Sequence, residues 1–102
     1  MNSVWVFNKT NASFSGGVFS ELALAEKWIK ENRLSGIITK YPVDQGVFDW
    51  AIENNMHSIK PEKLSEKSKQ PNFIGGFTTA AQEHYHYEKM AFARRRYNYV
   101  KS

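Results

Sequence analysis

Cysteine is absent from this chain, and that absence removes disulfides, thiolate metal sites and thiol nucleophiles together. No apolar run approaches the length that crosses a bilayer, and the mean hydropathy of −0.58 argues against a membrane protein. The N-terminus lacks the basic-then-apolar pattern of a signal peptide, so a cytoplasmic protein with no membrane partner is expected. On that expectation Asn8-Lys9-Thr10 and Asn11-Ala12-Ser13 read as turn residues, not as glycosylation triplets. Gly16-Gly17 lacks the spacing, the lysine and the strand-to-helix context of a phosphate-binding loop.

What is present fits one globular domain. The 102 residues, 41% of them apolar and 15% aromatic, suffice for a single core. The formal charge of +4 and the isoelectric point near 9.4 are unevenly distributed. Arg94, Arg95, Arg96 and Lys101 hold much of the excess, while Lys60, Lys63, Lys67 and Lys69 face Glu62 and Glu66 in sequence. Such charge attracts phosphates, anionic lipids or acidic protein patches alike.

Taken in order, residues 3–7 alternate and are rich in strand formers, residues 8–13 form a turn, and residues 14–19 return as the second strand of a hairpin. Ser20 is placed to cap a helix over 21–32 that buries Leu22, Ala25, Trp28 and Ile29 on one face. A third strand over 37–41 stops at Pro42, and Asp44 is placed to cap a short helix over 45–54 with Val47, Phe48, Ala51 and Ile52 inward. Asp49 and Glu53 share a face of that helix, as solvated carboxylates usually do. The polar, lysine-rich stretch 57–72 reads as a surface loop with room for one helical turn after Pro61. Residues 73–78 and 83–88 then pair as a final hairpin around 79–82, with a helix over 79–87 as the competing reading. The expected fold class is α+β: a small, mostly antiparallel sheet in the order hairpin, helix, strand, short helix, long loop and C-terminal hairpin, with helices packed on one face. A single domain covers residues 1–90. A basic tail follows over 91–102, open to strand, short helix or disorder.

The densest chemistry lies in Glu83-His84-Tyr85-His86-Tyr87-Glu88. As a strand, this segment puts His84 and His86 on one face and Tyr85 and Tyr87 on the other. A tyrosine face over the core and a histidine face toward solvent or a partner is ordinary sheet construction. A His-x-His pair also has the spacing for one metal ion, and two imidazoles suit acid–base work. A closed metal site needs a further ligand, for which His57 and either Glu83 or Glu88 are the available groups.

Residues 4–88 resemble a family of short bacterial proteins of unassigned function. The resemblance is carried by Trp5-Val6-Phe7, Asn11-Ala12-Ser13-Phe14, Gly17-Val18-Phe19, Ala25-Glu26-Lys27-Trp28-Ile29, Ser35-Gly36-Ile37, Tyr41-Pro42, Phe48-Asp49-Trp50-Ala51 and the histidine–tyrosine hexapeptide. Members of this kind look like small cytosolic antidotes encoded beside polymorphic or contact-dependent toxins. The resemblance therefore implies an immunity protein that binds a cognate toxin and occludes its active site. Antidotes to nuclease toxins are expected to be acidic, and this chain is basic. That points instead to an acidic cleft on the partner, or to a locally acidic face around Asp44, Asp49, Glu53 and Glu88.

The expected partner surface comprises Glu83, His84, Tyr85, His86, Tyr87, Glu88, Arg94, Arg95 and Arg96, with the 57–72 loop beside it. Neither a cofactor nor enzymatic activity is expected. Two alternatives remain open. One is a nucleic-acid-binding module in which the C-terminal arginines meet phosphates and Tyr97 and Tyr99 meet bases. The other is a small metal-binding or hydrolytic protein built on His84 and His86.

Overall fold

The computed structural model describes residues 2–88 and the backbone of residues 93–97. Five strands, β1 (Ser3–Lys9), β2 (Gly17–Phe19), β3 (Gly36–Pro42), β4 (His84–Glu88) and β5 (Ala93–Tyr97), form one sheet in the order β2-β1-β3-β4-β5. Every neighbouring pair is antiparallel. Helix α1 (Leu22–Glu31) crosses from β2 to β3, and α2 (Val47–Glu53), α3 (Pro61–Lys67) and α4 (Pro71–Gly75) lie between β3 and β4. The protein is thus a small α+β domain.

Register explains where the core sits. Phe7 pairs with Ile38 and Ile38 with Tyr85, so these side chains line one face, joined by Trp5, Phe19 and Tyr87. Helix α1 lays Ala25 and Ile29 on that face, both fully buried, with Leu22 and Trp28 packed around them. Trp28 stands edge-on to Phe7 at 5.5 Å between centroids and tilts against Phe19 at 5.3 Å, while Trp5 stacks on Tyr85 at 6.0 Å. Gly36 is required where β3 meets β1: a Cβ there would run into the Asn8 carbonyl oxygen and come within 2.8 Å of Phe7 Cζ.

Helices α1 and α2 stop in the same way. Arg33 and Asn55 adopt left-handed backbone, with φ of 53° and 55°. The amides of Leu34 and Met56 reach back to the carbonyls of Ile29 and Ala51, closing a Schellman turn in each case. The preceding asparagines add side-chain bonds, Asn32 to the Trp28 carbonyl at 2.9 Å and Asn54 to the Trp50 carbonyl at 2.8 Å. Helix starts differ from expectation. Ser20 does not cap α1, whose first turn opens instead at Glu21 without a side-chain bond. Asp44 does not cap α2 either: it occupies a left-handed turn position at φ 60°, which aspartate tolerates, and Gly46 precedes the helix.

The stretch after α2 departs furthest from the sequence reading. Residues 57–72 are not one long loop, since Pro61 and Pro71 each open a short helix at a position where proline's missing N–H costs nothing. Residues 73–78 do not form a strand. Phe73 and Ile74 lie in α4, and Phe73 and Phe77 close a triangle with Phe48 of α2, with centroids 5.4 to 5.9 Å apart. This aromatic cluster holds them better than an edge strand would, and it forms a second, smaller core outside the sheet. The expected return strand over 14–19 shortens to Gly17–Phe19, leaving Phe14 86% exposed. The C-terminal hairpin is instead β4 with β5. Of the three conformations open to the tail, the backbone of Ala93–Tyr97 takes the strand.

Candidate functional site

Strand β4 carries the candidate site because its alternation splits it between two environments. Tyr85 and Tyr87 are core residues, 2% and 9% exposed. Their hydroxyls are satisfied by carboxylates: Tyr85 donates to Glu83, and Tyr87 donates to Glu26 of α1 at 2.6 Å. The second of these contacts ties β4 to the helix, and both tyrosine rings are enclosed in the core. The helical alternative for 79–87 fails at the same place, since Tyr85 reaches Trp5 only from an extended strand.

On the opposite face His84 and His86 stand 5.9 Å apart between ring centroids. The His84 Nδ1–H donates to the Gln82 carbonyl at 2.7 Å, which fixes that ring. Burial and the neighbouring His84 hold the His86 pKa below its ordinary value. The strand pairs extend this face across the sheet. Val18, Val6, Thr39 and His84 form one cross-strand row, Asn8, Ile37 and His86 the next, and Val4 and Tyr41 a third.

These rows are not closed off from solvent. Val6 lies on β1, flanked by β2 and β3, yet stays only half-buried, and Val18 is 63% exposed. Across β2, β1, β3 and β4 the three rows contain no lysine, arginine, aspartate or glutamate, although the second row continues on β5 to the backbone position of Arg95, and Glu88 falls on the same face at the end of β4. From β2 to β3 and over His84 and His86 the face is thus open and uncharged, and charged positions enter only at its Glu88 and Arg95 end.

The remaining candidates are scattered. His57 is not brought to the His84–His86 pair. It lines a hollow beside α3 and α4, where its Nδ1 accepts the Ile59 amide at 3.1 Å. Among the described residues no group of three or more His, Asp or Glu is gathered for a metal ion, so the His-x-His spacing here yields a pair, not a ligand set. Glu83 sits with the tyrosines on the core side, and Glu88 is exposed at the end of β4. Arg94, Arg95 and Arg96 stand in register with Tyr87, His86 and Tyr85 as backbone positions of β5, and their side chains lie outside the described residues.

Sequence reasoning missed Gln82, taken as a turn residue. It is 5% exposed and its Nε2 donates to the Lys40 carbonyl at 3.2 Å, locking the start of β4 to β3. Thr79 was missed likewise. Its hydroxyl donates to the Met56 carbonyl and accepts the Ala81 amide, which pins the 79–82 turn to the end of α2.

The fold and this face define a small antiparallel α+β domain of one sheet, with α1 packed on its aromatic face. Residues 4–92 match the family described as domain of unknown function DUF7710, and the chain belongs to that family. No curated protein and no solved structure matches it. Among the described residues no helix is long and apolar enough to cross a membrane.

Proposed function

We propose that this protein acts by binding a partner protein over the open face of its sheet, as an antidote that occludes the active site of a cognate toxin. The observation that carries the reading is the uncharged surface formed by Val4, Val6, Val18, Ile37, Thr39, Tyr41, His84 and His86. The buried centre of a protein interface is depleted in charge and made of rigid groups. A β-sheet anchored by an aromatic core from behind supplies such a platform without ordering cost. Partner contacts therefore come from His84 and His86, while Tyr85 and Tyr87 hold the platform from below. The toxin-directed role rests on the resemblance to antidotes set out above.

The test is a pull-down with the product of the adjacent gene co-expressed, at low and high salt, using the native chain and Val18→Glu. Val18 is exposed, so the variant folds, and a charge placed at the rim of an apolar interface opposes desolvation. A stoichiometric partner that survives high salt and is lost in Val18→Glu supports the reading. Equal capture by both chains, or recovery of nucleic acid alone that disappears as salt rises, defeats it.

A further inference from the structure

The second half of the chain builds a hollow that the partner-binding face does not use. It measures about 930 Å³ and is lined by α3, α4 and the loops on either side of them. That volume falls within the range of small-molecule sites. Its apolar surface comes from Met56, Ile59, Phe73 and Phe77, all half-buried, and the two phenylalanines are held in place by Phe48 behind them.

Its charged lining is of one sign. Lys60, Lys63 and Lys67 all border the hollow: Lys63 and Lys67, four residues apart, share one side of α3, and Lys60 stands just before its first turn. No carboxylate shares the lining: Glu62 and Glu66, although on the same helix, are not part of it. The apolar and basic parts meet at Lys67, whose Nζ sits 5.0 Å from the centroid of the Phe73 ring. Across from the lysines runs the 76–81 segment, fixed by the two Thr79 hydrogen bonds, so the far wall is held by the fold.

We propose that this hollow is a binding site for a small amphipathic carboxylate, one with an aromatic or medium-length apolar body and a single anionic head. The body packs against Phe73, Phe77, Ile59 and Met56, and the head meets the lysine row. Apolar area supplies most of the affinity, while the lysines select the sign of the ligand's charge. A neutral ligand leaves the lysines unused, and a cationic one is repelled by all three.

The experiment is calorimetric titration of the full chain with 2-naphthoate and with its cationic counterpart 2-naphthylmethylammonium, repeated on Lys60→Gln/Lys63→Gln, with amide chemical-shift mapping by NMR. Both substituted lysines are exposed and make no described ion pair, so the variant keeps the native melting temperature. The proposal expects saturable binding of the acid about tenfold tighter than of the ammonium compound, with that preference reduced to about twofold in the double variant, which keeps Lys67. Shifted amides are expected at Phe73, Gly76, Phe77 and Thr78 to Ala81. Equal affinity for the two charges, an acid affinity indifferent to the lysine substitutions, shifts confined to the open sheet face, or no saturable binding of the acid would each overturn it.

Discussion

The two faces of the sheet are made by alternate residues of the same strands, yet one carries Trp5, Phe7, Ile38, Tyr85 and Tyr87 beneath α1, and the other carries Val4, Val6, Ile37, Thr39 and the histidines, all half-buried. Large aromatic side chains on the first face remove enough apolar surface from water to hold a helix against it. The β-branched residues on the second favour the strand itself but present a shallow surface. One face therefore sets stability, and the other is the face on which the proposed partner binding rests. Substitutions should separate the two roles.

The largest difference is expected from Tyr85→Ala set against His84→Ala. Tyr85 is enclosed and stacked on Trp5, and its loss leaves a cavity costing about 3–5 kcal/mol, as for other large aromatic truncations. His84, one position away on the half-buried face, should cost about 1 kcal/mol or less. Urea denaturation of the two variants measures both. Equal losses would mean that the histidine face is covered after all.

Gly36→Ala tests how closely the covered face is packed. The added methyl meets the Asn8 carbonyl and the Phe7 ring, so β3 must shift away from β1 at a cost of about 1–3 kcal/mol, although alanine is otherwise the mildest replacement for glycine. Thermal unfolding reads the loss, and a neutral outcome would show that the strands separate more easily than the register implies.

How much of this contrast could be read beforehand depends on whether the signal was local. The alternation of residues 84–87 is a property of any strand, so the placement of tyrosines and histidines on opposite faces followed from the sequence once the segment was read as extended, while which of the two faces is buried did not. Helix α1 was legible from the spacing of Leu22, Ala25 and Ile29. The segment 73–78 was misread because a short apolar run with a glycine pair suits strand or helix equally, and the decision came from Phe48, far away in sequence. Pro71, ahead of that run, was the available clue, as Pro61 had been for the helical turn expected where α3 forms. The emptiness of the open face and the hollow beside α3 are tertiary facts. Both depend on which elements do not meet, and no periodicity reports that.

A smaller effect separates packing from polar anchoring on the covered face. Tyr87→Phe keeps the ring in the core and removes only the hydroxyl that donates to Glu26. The expected cost is about 1 kcal/mol, since Glu26 is only half-buried. A double-mutant cycle with Glu26→Gln isolates the pair, and a cost as large as that of Tyr85→Ala would assign the anchoring to this hydrogen bond instead of to the aromatic stack.

The smallest expected effect belongs to the open face and comes from its histidine pair. His86 has its pKa lowered in the folded protein, first by burial and then by the neighbouring His84, whereas in the unfolded chain it returns to the ordinary value of 6.5. As pH falls through 6.5 the unfolded chain therefore takes up this proton before the folded one does. Stability from this source is whole above that pH, declines as pH drops toward the folded value, and falls no further below it. In NMR titrations His86 should titrate below the ordinary range, and His84→Ala should bring it only part of the way back, because burial is the larger cause. A complete return would mean that repulsion between the rings dominates and that the face around His86 is fully wet. No return would mean that the two imidazoles do not sense each other. Binding of a partner over this face should lower the His86 pKa further, since it deepens the burial already acting there. The same titration repeated with the partner present thus reports directly on whether the open face is the one that becomes covered.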